Sequence, residues 1–184
     1  MQTKMTSSKT KAFQPIINGK IQIHPKTDRT TKLWNELKVK QVMEGVTPLK
    51  LHTPMSEDNV RFVCLSDTHN VSGVTPAIVP DGDVLLHAGD FSQFGGPCEV
   101  EEFNAFLGKL PHKHKIVIAG NHELTFDPTF FRDNSLRRFG LNAGDIQKYK
   151  GDRKISRMAD VLTNCTYLED SETTVYGIRI YGSP

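Results

Sequence analysis

Asp67-Thr68-His69, Gly89-Asp90 and Gly120-Asn121-His122-Glu123 are the places in this 184-residue chain where donors suited to divalent metal ions crowd into short spans. Asp67 offers a charged oxygen and His69, two residues on, an imidazole nitrogen, so one loop can grip one ion from two directions. Asp90 can bridge two ions, because a carboxylate has two oxygens with two lone pairs on each. Asn121 supplies a neutral amide oxygen, which holds a second ion without adding negative charge that would repel a phosphate. Two such ions roughly 3.5–4 Å apart lower the pKa of a water, polarise phosphoryl oxygens and steady an in-line displacement. His122 then becomes the candidate acid facing the leaving oxygen, a role worth about 10²- to 10⁴-fold. This is hydrolase chemistry, with Asp67, His69, Asp90 and Asn121 as metal ligands and His122 as the catalytic residue.

The elements that must position these residues are short apolar runs at 61–66, 83–88 and 115–119, each rich in Val, Ile or Leu and each ending in one of the clusters. Between the second and third runs, Val100, Phe103, Phe106, Leu107 and Leu110 recur at three- and four-residue steps and predict a helix over 99–110. Strand, helix, strand implies a right-handed crossover and a parallel pair. In an open parallel sheet, loops at the carboxyl edge share one crevice, so the clusters can converge. Residues 130–160 read as a loop with one or two short helices, and 161–168 and 174–181 as strands, the second with Gly177 as a turn or bulge. Singly, each cluster also has a structural reading: Asp67 as a helix cap, Gly89-Asp90 as a tight turn, Asn121 in a left-handed turn. Their common place after buried-type strands favours the metal site. Glu123 reads as a partner for nearby backbone or an arginine rather than a ligand, His87 as a core residue, and His112 and His114 as solvated loop.

Composition, at 37% hydrophobic and 24% charged residues, is that of a soluble globular protein, and a net charge of +2 is too small to argue for a polynucleotide partner. Residues 1–60 carry ten Lys/Arg against five Asp/Glu, so the excess positive charge lies in a polar N-terminal extension over 1–59. That extension is expected to be partly disordered, with a helix over 31–44 and Trp34 as its docking anchor, and its His24 and His52 carry no chemistry. The domain proper is expected over 60–184. Cys64, Cys98 and Cys165 show no Cys-x-x-Cys spacing, which argues against a zinc knuckle and for a reducing compartment. No leader-like apolar segment opens the chain, and no apolar run reaches membrane-spanning length, so a cytoplasmic location and no membrane partner are expected.

Asp-x-His, Gly-Asp and Gly-Asn-His-Glu in this order resemble the first three signature blocks of the calcineurin-like metallophosphoesterases. Residues 61–69 and 116–127, with the closing Arg179-Ile180-Tyr181-Gly182-Ser183-Pro184, are similar to the animal metallophosphoesterase domain-containing proteins within that family. The resemblance implies an α/β fold of four-layer type, a β-sandwich flanked by helices, with two divalent ions (manganese, iron or zinc) and hydrolysis of phosphomonoesters or diesters. It also implies a small phosphorylated substrate, a nucleotide among the candidates. Later histidines from a Gly-His and a Gly-His-x-His block belong to the family's site, whereas none of the seven histidines here follows His122. The expectation is therefore the N-terminal portion of such a domain. It is either part of an active enzyme or a catalytically impaired short form acting as a metal- or nucleotide-binding regulatory module.

Overall fold

The computed structural model describes residues 16–17, 20–21, 23, 27–42, 44–47, 49–50, 53–70, 75–129 and 134–184. His24, His52 and residues 130–133 lie outside them. The chain forms two units, Met1–Pro48 and Leu49–Pro184. In the first, β1 (Ile16–Ile17) pairs antiparallel with β2 (Lys20–Ile21), and a 3-10 turn at Thr27–Arg29 leads into α1 (Thr30–Leu37). The helix predicted over 31–44 is shorter: it tightens to a 3-10 turn at Lys38–Lys40, and Gln41 is extended. No residue of α1 is buried, and Val39 and Val42 beyond it are exposed, so burial among the described residues does not reward further turns of a helix already short enough to be marginal. Trp34 stands half-exposed.

The second unit is built on four parallel strands, β3 (Phe62–Leu65), β4 (Val84–His87), β5 (His114–Val117) and β6 (Thr166–Tyr167), in the order β3-β4-β5-β6. The first three match the apolar runs read from the sequence to within two residues at each end. Their register is in step: Phe62 lies beside Val84 and Val84 beside His114, while Leu65 lies beside His87 and His87 beside Val117. Three carboxyl ends therefore finish level, and the loops that follow open at one edge.

Alternation along each strand sends side chains to two faces. Val63, Leu85 and Val117 pack on one side with Val100, Phe103 and Leu107 of α2 (Pro97–Lys109), together with Leu136, Met158 and Ile146 of α3 (Ala143–Arg153). On the other side Val84 and Ile116 pack with Leu168, Val175 and Ile180. Val175 and Ile180 belong to an antiparallel hairpin, β7 (Ser171–Val175) and β8 (Ile178–Gly182), which sets a second sheet against the first. Full burial of each such aliphatic contributes about 1.5–3 kcal/mol, so both faces contribute to the fold. Tyr176 and Gly177, at φ 50° and 76°, form the two-residue connection that positive φ at both central positions defines. The single strand predicted over 174–181 is instead this hairpin, and Gly177, expected as a turn or bulge, lies in its connection.

Two expectations need correction. The strand predicted over 161–168 is reduced to β6, because Met158–Val161 is a 3-10 turn and α2 captures the segment after it. The Asn104 side chain accepts from the Asn164 N–H (2.9 Å) and donates to the Thr163 hydroxyl (3.1 Å), while the Asn164 amide donates to the Asn104 carbonyl (2.9 Å). His112, read as solvated, is buried and donates from Nε2 to the Pro80 carbonyl (3.0 Å). His114 opens β5, partly buried, with its ring edge-on to Tyr176. In the charged stretch after residue 133, a 3-10 turn at Asn134–Phe139 precedes α3, whose N-terminus is capped by Asn142 accepting from Gly144 N–H at 2.8 Å.

His87 and His112 are both buried, and burial holds both imidazoles below their ordinary value, His87 down to about 4. The unfolded chain takes up a proton near the ordinary value of 6.5 and the folded chain does not, so stability falls as pH drops from about 6.5 towards about 4. For His87 alone the loss reaches about 3 kcal/mol across that window. His87→Phe should flatten the pH dependence of the urea-unfolding free energy between pH 7 and 4.5. A variant with the wild-type slope would contradict the assignment of His87 as a buried neutral imidazole.

Candidate metal centre

Beyond the strand ends the loops continue to pair. Asp67 N–H donates to the Gly89 carbonyl (3.1 Å), His69 N–H to Asp90 (3.0 Å) and Asn70 N–H to Phe91 (3.0 Å). Asp67, His69, Asn70 and Asp90 hold φ of 55°, 41°, 53° and 55°. Left-handed backbone costs a non-glycine residue roughly 1–2 kcal/mol, so four such residues mark loops held in a sparsely populated shape by their surroundings. Gly89 and Gly120 let the β4 and β5 loops touch. A Cβ on Gly89 would stand 2.6 Å from Gly120 N, and one on Gly120 would stand 2.2 Å from Asp90 Oδ1.

Among the described residues, His69, Asp90 and His122 each bring one possible ligand atom within 4.8 Å of the other two. The imidazoles meet edge to face with ring centres 4.3 Å apart. His69 Nδ1 lies 3.1 Å from the Ser92 carbonyl and His122 Nδ1 lies 2.7 Å from the Gln93 carbonyl. A carbonyl only accepts, so each neutral ring carries its proton on Nδ1 and turns an Nε2 lone pair outward. This backbone-fixed tautomer is the usual setting of a metal-binding histidine. One carboxylate and two oriented imidazoles fit a borderline divalent ion.

Residues 60–181 match the calcineurin-like phosphoesterase family, which covers most of the second unit and all three donor loops. The chain belongs to the calcineurin-like phosphoesterase family. This calcineurin-like domain is similar to human metallophosphoesterase domain-containing protein 1, with 50% identity over 142 residues, or 77% of this chain and 42% of that protein. It is also similar to UPF0046 protein C25E10.12 of Caenorhabditis elegans, with 43% identity over 166 residues covering 89% of this chain and 55% of that protein. UPF0046 protein T07D4.2 of the same organism is 40% identical over 172 residues, 91% of this chain and 43% of that protein. The chain thus spans about half the length of the curated relatives it matches.

In the calcineurin-like domain, two carboxylates that are not among the three clustered donors hold the loop from Asp90 to Gly96. Glu123, 3% exposed, accepts from Asp90 N–H (2.9 Å) and Gly120 N–H (2.7 Å) on one oxygen, and from Ser92 N–H (2.9 Å) and the Ser92 hydroxyl (2.7 Å) on the other. Glu99, in the first turn of α2, accepts from Gln93, Phe94 and Gly96 N–H at 3.1, 3.2 and 2.7 Å. The Ser92 and Gln93 carbonyls that orient the two imidazoles are therefore fixed from both sides. Sequence reasoning pairs Glu123 with nearby backbone or an arginine, of which the structure shows the backbone, and misses Glu99, although a glutamate three residues after Gly96 and just ahead of the helical apolar run is a capping signal. The orienting carbonyls belong to the main chain, and residue type carries no signal for them.

Of the residues read as metal ligands, the structure brings His69 and Asp90 together and adds His122, read as the acid, to the same group. Asp67 stands outside that trio, exposed, at the start of its loop. Asn121 lies exposed in the turn between Gly120 and His122. The His122 N–H donates to Asp90 Oδ1 at 3.0 Å, which ties the β5 loop to the central carboxylate and leaves Oδ2 unspent by that bond.

Glu123→Gln keeps the shape but turns an NH₂ group toward backbone N–H donors that previously met a carboxylate oxygen. Urea unfolding should show a loss of roughly 3 kcal/mol or more, since bonds to a charged acceptor are worth about 1.5–3 kcal/mol each and buried unpaired donors add a penalty. A loss below 1 kcal/mol would remove Glu123 from this organising position.

Proposed function

We propose that the domain hydrolyses phosphate esters with the help of two divalent metal ions held by Asp67, His69, Asp90 and Asn121, with His122 as proton donor to the leaving oxygen. The observation that supports it most directly is the meeting of His69, Asp90 and His122, with both imidazoles oriented by backbone carbonyls, at the carboxyl edge of a calcineurin-like sheet. Divalent ions bound here would polarise the phosphoryl group and supply the hydrolytic water in an activated form. The chain's own residues do the rest. Asp90, central in the three loops, offers oxygens on two sides. The Nδ1–H of His122 is committed to Gln93, so Nε2 is the nitrogen turned to the substrate, and in its protonated form the ring can pass that proton on.

The substrate in this reading is a small phosphorylated molecule, a phosphodiester or monoester with nucleotides among the candidates, and manganese, iron or zinc is the ion. No helix among the described residues is long and apolar enough to cross a membrane. A reducing, cytoplasmic setting accords with Cys64, Cys98 and Cys165 being free. The test is Mn²⁺-stimulated hydrolysis of bis(p-nitrophenyl) phosphate. Asp90→Asn should lower the rate at least ~100-fold, and a variant as active as wild type would sink the assignment. A wild-type domain whose melting temperature rises with Mn²⁺ but which shows no turnover would support the other reading, a metal- or nucleotide-binding regulatory module.

A further inference from the structure

We propose that His87 is a positioning residue of this metal centre, holding the Thr68 hydroxyl from within the core and through it the Asp67-Thr68-His69 loop in its ligating shape. The inference rests on the proposed metal site but concerns a residue outside the donor set.

His87 ends β4 in a cross-strand row with Leu65 and Val117, two apolar residues. It is 2% exposed, with its ring edge-on to Phe91 at 6.0 Å and Phe103 at 5.0 Å. Its Nδ1 is buried with no hydrogen-bond partner among the described residues. A leucine or phenylalanine would fill this place without burying polar atoms, so the imidazole carries a cost that packing does not explain. What it supplies is one bond, Nε2 to Thr68 Oγ1 at 3.0 Å. The single proton of the neutral ring belongs on Nε2, where it meets the hydroxyl oxygen and leaves only a lone pair unmatched at Nδ1.

Thr68 stands between Asp67 and His69, and three residues of the 67–70 loop have left-handed backbone. Their strain is opposed by the amide bonds to Gly89, Asp90 and Phe91, by His69 Nδ1 on Ser92, and by the Thr68 side chain. Thr68 is the side chain of this loop that reaches an imidazole of the core. His87 thus gives a left-handed loop a fixed point in the buried core beside Phe91 and Phe103. Groups that orient ligand-bearing segments typically change metal affinity by about 10- to 100-fold when removed.

The test compares His87→Phe, Thr68→Val and the double variant in the full chain, with two readouts. In the metal-free protein, amide hydrogen exchange at His69 and Asn70 should accelerate about tenfold in either single variant, the worth of one hydrogen bond. Mn²⁺ affinity by calorimetry should fall about 10- to 100-fold in either, and the double variant should be no worse than the singles if both residues act through one bond. His87→Gln, whose side-chain amide can still donate to Thr68, should recover much of both. Unchanged exchange and affinity in Thr68→Val would overturn the proposal, and so would additive effects in the double variant. Thr68→Val carries the test if His87→Phe does not fold. If wild type binds no Mn²⁺, the metal reading fails by itself while the exchange data still decide whether His87 anchors the loop.

Discussion

The geometry of the candidate metal centre depends on a carboxylate outside the donor trio. Glu123 is buried, and a buried charge is expensive unless its lone pairs are met, so its environment has to supply donors. It finds them in the N–H groups of Asp90, Ser92 and Gly120 and the Ser92 hydroxyl, from two of the three loops that frame the site. Each bond satisfies the carboxylate and at the same time fixes a donor-bearing loop. Charge-assisted bonds of this kind are roughly twice as strong as neutral ones, enough to oppose the left-handed backbone at Asp90. Glu99 repeats the device for the second half of the loop, and also satisfies amides at the start of α2.

Much of this was legible in the residues, for identifiable reasons. Aliphatic runs ending in Asp67, Asp90 and Asn121 betray buried parallel strands because a strand covered on both faces needs continuous apolar sequence. Level register then follows from hydrophobic pairing, so the convergence of the loops follows from order alone. Other features were hidden because the deciding partner lies far away in sequence. Residues 163–164 have β-type neighbours but belong to Asn104, sixty positions earlier. His112 sits among lysines and still turns inward to the Pro80 carbonyl. The tautomers of His69 and His122 are set by main-chain oxygens, which every residue possesses.

The two faces of the parallel sheet divide the labour. The face toward α2 holds the larger apolar cluster, including the stacked Phe91 and Phe103 rings at 4.1 Å, and this is where His87 is embedded beneath the β3 loop. The opposite face, covered by the β7–β8 hairpin, holds a smaller cluster of aliphatic side chains. The donor loops leave from the edge between these layers, so their backbones start from strands fixed on both sides.

The level strand ends also limit how such a domain can change its length. Adding or deleting one residue within β3, β4 or β5 would move its donor cluster by about 3.3 Å along the sheet and send every side chain beyond it to the wrong face. The connections at the opposite edge carry no such constraint. They can lengthen or shorten at small entropic cost while the donors stay where they are. The sheet therefore acts as a ruler for both core and candidate site, and a change in chain length is best tolerated on the side away from the donor loops.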